Sequence, residues 1–547
     1  MTRPTPHRPN ILILCMDQWD MRMELPDGVE LPALKQLMNR GVTLDKHYCT
    51  VPQCTPSRTA MWTGQHAKAL GTWDNTDFAW IKPLDPGTPT MGDMMREQGY
   101  YTAFKGKWHL SDTGFGEAGA LEDFGFSDYQ LWGDNWGRPL EGQVKDGTVA
   151  METVDWLRHR APEDQPWLLI SSMVNPHDIM YYLAQKDELG HENGIMRPKL
   201  HGLPTMGELE HWWDPALPES VSDDLSQQPL GPNNYKEFAQ LNYTHVPEGR
   251  EDIWKQRRNY LVNCMRLVDA QFATILDELT AQGLWDNTVV IFTSDHGEMN
   301  GAHGMTQKGG IHYDEATVVN MTAVVPGGAQ GVETTAVGSH IDLVPTALAF
   351  AGLDSAARAE KYPKLPGRDL SGVFTDPKVT TPPRGSAEEP GDGALLMWDG
   401  LHQLDPQWAV TGALGPLVDL PLDTELREAQ MREAGAKYGA PDFSRRSFFR
   451  AVVDGRYKLV RWFAPTEYGT PATVEELYAT SDVSLHDLVA DPNELENLGN
   501  KNHPRYDEAL VARLLAKLNA LIERELGEDS APMDLDMFGT RDVTYRS

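Results

Sequence analysis

Cysteine is scarce. The 547 residues contain four, Cys15, Cys49, Cys54 and Cys264. Four cannot frame a chain of this length, so a disulfide scaffold is excluded. Long hydrophobic runs are missing too. Residues 1–9 carry no apolar stretch, and the run at 11–16 meets Asp17 after six residues. Neither a signal peptide nor a membrane span is expected, and the chain reads as cytoplasmic. Basic charge is short: 48 Lys+Arg stand against 80 Asp+Glu, for a net charge of −32. Such a surface repels nucleic acid, anionic membranes and, at long range, anionic substrates. Any anion site must therefore be locally basic. Internal repeats, low-complexity tracts and basic clusters are also lacking.

What is present is ordinary for a globular protein: 40% hydrophobic and 23% charged residues, enough for a large core. Ile11-Leu12-Ile13-Leu14-Cys15-Met16 suits a strand buried on both faces. It ends at Asp17-Gln18. Segments at 100–105, 166–174 and 287–293 also read as strands. They end at Lys107-Trp108-His109, Asn175-Pro176-His177-Asp178 and Ser294-Asp295-His296-Gly297. Open α/β sheets place ligands beyond such strand ends. A short strand is predicted at 323–326. Helical spacing marks 31–40, 90–98, 253–279, 343–351 and 506–526. Phe448 to Phe463 reads as a hairpin around Asp454-Gly455.

The expected architecture is α/β, with a large, mostly parallel central sheet flanked by helices. A smaller C-terminal α+β domain bears a short antiparallel sheet. The predicted bounds are 1–383 for the catalytic domain, 384–528 for the second, and 529–547 for a tail packing on a neighbouring subunit. Within the first, 180–250 reads as a loop-rich insertion, and 375–392 reads as a linker.

Each chemical constellation has a plain reading beside it. Asp17-Gln18 and Asp295-His296 can hold one divalent cation, or can be two solvated turns. Their oxygens suit Ca²⁺ or Mn²⁺, and the imidazole draws the preference towards Mn²⁺ or Zn²⁺. Cys54-Thr55-Pro56-Ser57-Arg58 reads as a helix start, with Thr55 as cap and Pro56 at the first helical position. That same geometry favours an anion and activates a cysteine. Lys107 and His109 on a strand would share one face, as an anion clamp and proton shuttle or as a solvated edge. His177 fits a capping or core histidine as well as a site residue. Lys308 sits in a glycine-rich loop, where a solvated lysine is the ordinary outcome.

Together these pieces resemble the sulfatase family, within the alkaline-phosphatase-like superfamily. Cys54-Thr55-Pro56-Ser57-Arg58 is similar to the family's Cys-x-Pro-Ser-Arg signature, and Gly106-Lys107-Trp108-His109 to its second. Asn175 to Asp178, Ser294 to Gly297 and Lys308 follow in the family's order. His340-Ile341-Asp342, Leu365-Pro366-Gly367-Arg368 and Leu485-His486-Asp487-Leu488 extend the likeness to about residue 500. The Gln18 and His296 variants, with Asp74-Asn75, resemble choline sulfatases and phosphonate monoester hydrolases, whereas Gly-Lys-Trp-His resembles sulfatases.

The resemblance implies hydrolysis of aryl or alkyl sulfate monoesters. The nucleophile would be a formylglycine diol made from Cys54 by a formylglycine-generating enzyme. One divalent cation is implied, Ca²⁺ or Mn²⁺ ahead of Zn²⁺, with Asp17, Gln18, Cys54, Asp295 and His296 as ligands. Lys107, Lys308 and Asn75 would bind substrate, and Arg58 would orient the diol or its loop. His177 or Lys308 would protonate the departing alcohol, and His109 would take the diol's second proton. A phosphonate monoester or phosphodiester hydrolase on the same site, and a non-catalytic binder of sulfated ligands, are the alternatives. A homo-oligomer is expected, with a dimer favoured.

Overall fold

A computed structural model describes residues 8–117, 119–182, 207–243, 245–376 and 393–539. Among them a seven-stranded sheet has the order β3-β4-β1-β5-β6-β2-β7. Its strands are β1 (Asn10–Asp17), β2 (Val42–Tyr48), β3 (Tyr101–Gly106), β4 (Trp167–Pro176), β5 (Thr288–Ser294), β6 (Met321–Val324) and β7 (Val332–Ser339). All neighbours pair in parallel except β6, which runs antiparallel to β5 and β2.

The apolar run of β1 explains its central place. Side chains alternate across a strand. Ile11, Ile13 and Cys15 join one core layer, with Trp62, Met91 and Phe104. Leu12, Leu14 and Met16 join the opposite layer, with Tyr260, Val268, Phe272 and Ile275 of the helix Glu251–Ala281. A strand covered on both faces needs apolar residues at every position. Each fully buried large aliphatic contributes about 1.5–3 kcal/mol.

The second sheet is antiparallel, ordered β11-β10-β9-β8: β8 (Ala394–Trp398), β9 (Phe448–Val453), β10 (Tyr457–Phe463) and β11 (Asp482–Asp487). The expected hairpin is β9–β10. Gly455 takes the left-handed backbone of its turn, with φ +93°, and Asp454 Oδ1 accepts from Arg456 N and Tyr457 N. The helix Glu508–Glu525 lays Val511, Leu514, Leu515, Leu518, Leu521 and Ile522 into the same core as this sheet.

One expectation needs correction. The stretch at 180–250 is not all loop: Leu230–Asn242 is a helix that buries Tyr235, Phe238 and Ala239. Its Pro232 lies in the first turn, where no intrahelical N–H bond is lost, so the proline that suggested loop is compatible with helix. Residues 183–206 lie outside the described residues, as do 377–392 of the expected linker. Of the tail, residues 529–539 are described, and they contact the rest of the chain. Asp529 pairs with Lys68 and Arg450, and Leu535 and Phe538 are buried. These apolar and ionic partners are met within the chain. No helix among the described residues is long and apolar enough to cross a membrane.

Candidate active site

Because β3, β4, β1 and β5 are neighbours and parallel, their C-terminal ends lie along one edge. Asp17 ends β1, Lys107 and His109 follow β3, His177 follows β4, and Asp295 and His296 follow β5. Cys54 opens the buried helix Cys54–Thr63 at the same edge.

The helix start differs from the expected one. Gln53 is the cap, in extended conformation, and Cys54 rather than Pro56 is the first helical residue. Thr55 is inside the helix. Its N–H donates to Asn75 Oδ1 at 3.0 Å, and its hydroxyl donates to the His109 carbonyl at 2.9 Å. Asn75 thus satisfies a first-turn amide that the local sequence leaves open. Lys107 and His109 are not on a strand either. β3 stops at Gly106, where a Cβ would lie 1.8 Å from the Ser172 carbonyl, so the chain turns and both side chains enter the site from a loop. His109 takes φ +59°.

Arg58 organises the acidic centre. Its Nε lies 3.0 Å from Asp295 Oδ2 and its Nη2 3.2 Å from Asp17 Oδ2, while Nη1 donates to the Lys107 carbonyl and Ser172 Oγ. Lys107 Nζ reaches Asp17 Oδ2 at 2.6 Å. All of these groups are buried. Burial alone would raise the Asp17 pKa, but the cations of Lys107 and Arg58, with His177 and His296, hold it well below the usual carboxylate range. Burial disfavours the Arg58 and Lys107 cations, yet the neighbouring carboxylates raise both pKa values.

The residues at hand fit a divalent ion. Ligand atoms of Asp17, Cys54, Asp295 and His296 all lie within 4.8 Å of one another, a spread that ligands about 2–2.5 Å from one ion produce. His296 Nδ1 and the Gly297 carbonyl are 3.0 Å apart, which assigns the ring proton to Nδ1 and leaves the Nε2 lone pair facing inward. Nε2 is 3.2 Å from Cys54 Sγ and 3.6 Å from Asp17 Oδ1. Burial, aided by Lys308, lowers the His296 pKa, so the lone pair stays available.

Gln18 is tied differently. Its Oε1 accepts from Lys308 Nζ, and its Nε2 donates to Glu298 Oε2 at 2.5 Å and Gln307 Oε1 at 3.2 Å. Glu298, ion-paired to Arg257 at 2.9 Å, therefore fixes which way the amide points. Asp77 does similar work for His109, with Oδ2 3.1 Å from Nε2. Burial pulls the His109 imidazole down, but Asp77 outweighs it and the pKa is pushed up to about 9. His177 behaves oppositely: burial first, then Lys308, hold it well below its ordinary value.

Glu298, Asp77 and Ser172 escape sequence reading. Glu298, two residues beyond His296, offered a signal in its motif; Asp77 and Ser172 acquire their partners only through the fold.

Cys54, Asn75, His109, His177 and Lys308 line a cavity of about 490 Å³, together with Phe78, Trp136 and Tyr243. A second buried cluster, His312, His486 and Glu494, also has its ligand atoms within 4.8 Å. There the protein supplies the cation: Lys458 Nζ lies 2.8 Å from Glu494 and 2.7 Å from Asp314. None of the three lines the cavity.

The model of the sulfatase family matches residues 9–353. The chain belongs to the sulfatase family. It is 28% identical over 382 residues to a choline-sulfatase of Rhizobium meliloti, covering 64% of this chain and 69% of that one. It is 29% identical over 371 residues to the uncharacterized sulfatase YidJ of Escherichia coli, covering 62% and 65%. The matched part thus spans about two thirds of these relatives. Among solved structures, a 2-O GAG sulfatase superposes with TM-score 0.65 at 21% identity, covering 96% of this sulfatase and 95% of that chain. A phosphonate monoester hydrolase of Agrobacterium radiobacter superposes with TM-score 0.59 at 19% identity, covering 95% and 96%. These two likenesses show the fold.

Proposed function

We propose that this sulfatase hydrolyses aryl or alkyl sulfate monoesters, with Cys54 matured to formylglycine. The observation that carries the reading is the position of Cys54. Its sulfur sits between His296 and Asp17 at a helix start and opens onto the cavity. In this reading the sulfur marks the place of the hydrated aldehyde's oxygens. A divalent cation held by Asp17, Asp295 and His296, with Gln18 beside them, would acidify the nucleophilic hydroxyl and neutralise sulfate oxygens. Ca²⁺ or Mn²⁺ suits the carboxylates.

The chain's own residues do the remaining work. Lys107 and Lys308 face the sulfate oxygens, where charge builds up. One hydroxyl, its proton released to solvent, attacks sulfur as the bond from sulfur to the alcohol oxygen breaks. Lys308 or His177 gives that oxygen its proton. His109 then takes the proton of the second hydroxyl, the bond between carbon and the sulfate oxygen breaks, and the aldehyde reforms as sulfate leaves. Arg58 holds Asp17 and Asp295 in place throughout rather than touching the ester.

A cavity of about 490 Å³ among the described residues has room for a small organic ligand. Peptide mass spectrometry on protein made with the maturing enzyme should find formylglycine at residue 54, and a persistent thiol would count against the mechanism. The Gln18 and His296 variants favour a second reading, phosphonate monoester hydrolysis on the same residues. Ranking kcat/KM over aryl, alkyl and choline sulfates and phosphonate monoesters separates the two. A clear preference for phosphonates would replace the first reading.

A further inference from the structure

All five N–H groups of the Arg427 guanidinium end on backbone carbonyls. Nε donates to Pro421 O at 2.8 Å. Nη1 donates to Phe78 O at 3.0 Å and Ile81 O at 2.7 Å. Nη2 donates to Thr76 O at 2.8 Å and Leu420 O at 2.9 Å. The residue is 4% exposed. An arginine has five donors in a fixed fork, and here the whole fork is satisfied without a carboxylate among its hydrogen-bond partners. Lysine offers three donors at one point and cannot span such a set.

The carbonyls belong to two separate stretches. Thr76, Phe78 and Ile81 follow Asn75 and surround Asp77, the partner of His109. Leu420 and Pro421 lie beyond β8, just before the helix Thr424–Tyr438 that carries Arg427. The two stretches also bond directly: Ala79 N donates to Leu417 O at 2.9 Å, and Asp419 N donates to Asp77 O at 3.0 Å. Phe78 and Val418 form a bridge, and Phe78 stacks on His402 with centroids 4.4 Å apart. Asp77, Phe78, Val418, Leu420 and Leu422 all line the cavity. One wall of the pocket is thus built from both halves of the chain, and Arg427 joins them from behind without lining the cavity itself.

We propose that Arg427 is a positioning residue for specificity: it fixes the outer wall, so that recognition of the alcohol part depends on it while recognition of sulfate does not. This rests on the sulfate-ester reading above. The sulfate end is faced by Lys107 and Lys308, whose ammonium groups reach Asp17 and Gln18 rather than either stretch.

The test compares wild type with Arg427→Lys and Arg427→Ala in the full-length, matured protein. An aryl sulfate such as 4-nitrophenyl sulfate probes both ends, and inorganic sulfate as competitive inhibitor probes the sulfate end alone. In Arg427→Lys the KM for the aryl ester should rise about tenfold, with kcat and the inhibition constant of sulfate changed less than about threefold. Amide hydrogen exchange should quicken at 76–81 and 417–422 and stay unchanged in β1. Arg427→Ala should exaggerate both effects; if it does not fold, the lysine variant decides. Equal movement of KM and the sulfate constant would make Arg427 a general structural residue and overturn the proposal. So would an unchanged KM for the aryl ester. If wild type releases sulfate from no ester, the functional reading fails instead. The same comparison is then made with the dissociation constants of the aryl ester and of sulfate.

Discussion

The two ends of the cavity are held by different physics. At the inner end, Asp17, Asp295, Arg58 and Lys107 are buried charges on or beside strand ends, each balanced by the others. At the outer end, 76–81 and 417–422 are loops joined by backbone carbonyls and one uncharged-partner arginine. Ionic groups taken from water must be matched closely, because a buried charge left alone is strongly destabilising. The outer loops instead gather neutral carbonyls on one cation, so losing any single bond there costs less than stranding a charge. In the proposed reading the inner end then has one fixed task, holding sulfate, and the outer end a task that differs with the alcohol.

Substitution should expose that contrast. The largest effect belongs to Cys54→Ala. It removes the only nucleophile the mechanism has, and sulfate release measured by ion chromatography should fall at least about 10⁴-fold with the fold intact. Full activity in that variant would end the reading. Next is Asp17→Asn. It takes one negative charge from between Lys107 and Arg58, so chelator-treated protein should lose about 3–5 kcal/mol of stability in urea unfolding. Bound divalent metal, measured by plasma mass spectrometry, should fall as well. A neutral result on both would mean that the inner end is not an ionic network. His177→Gln should be smaller and selective. Alkyl sulfates, with poor leaving groups, should lose about 10²-fold in kcat, and aryl sulfates much less. Equal losses would assign the proton to Lys308.

The same contrast governs what could be read from residues alone. The inner end was legible because each of its parts stops a buried strand or starts a buried helix: Asp17 after an all-apolar β1, Asp295-His296 after β5, Cys54 before Pro56. Period and terminators expose such positions locally. The fold class and the Asp454-Gly455 hairpin were legible for the same reason. The helix cap was misplaced by two residues because the first-turn amide of Thr55 is met by the side chain of Asn75, twenty residues further on, and no local rule reports that. Arg427 was invisible. Its helix shows no unusual pattern, and its five acceptors are backbone atoms, whose positions only the folded chain brings together.

The finest prediction lies where the two ends meet, at Asp77. Its backbone carbonyl belongs to the outer wall, accepting from Asp419 N, while its carboxylate holds His109 of the inner end. The His109 pKa is about 9 because that carboxylate outweighs burial. Asparagine at 77 keeps the wall's backbone and removes only the charge. The imidazolium then loses its partner, so the His109 pKa must fall. The neutral base form then accumulates at lower pH, and the rising limb of the pH–rate profile should shift towards acid by the same amount. Histidine-selective NMR titration reads the ionisation directly, and the KM for an aryl sulfate should barely move. If KM rises with no shift in the titration, Asp77 serves the wall alone. The boundary between the two ends would then lie nearer to Cys54.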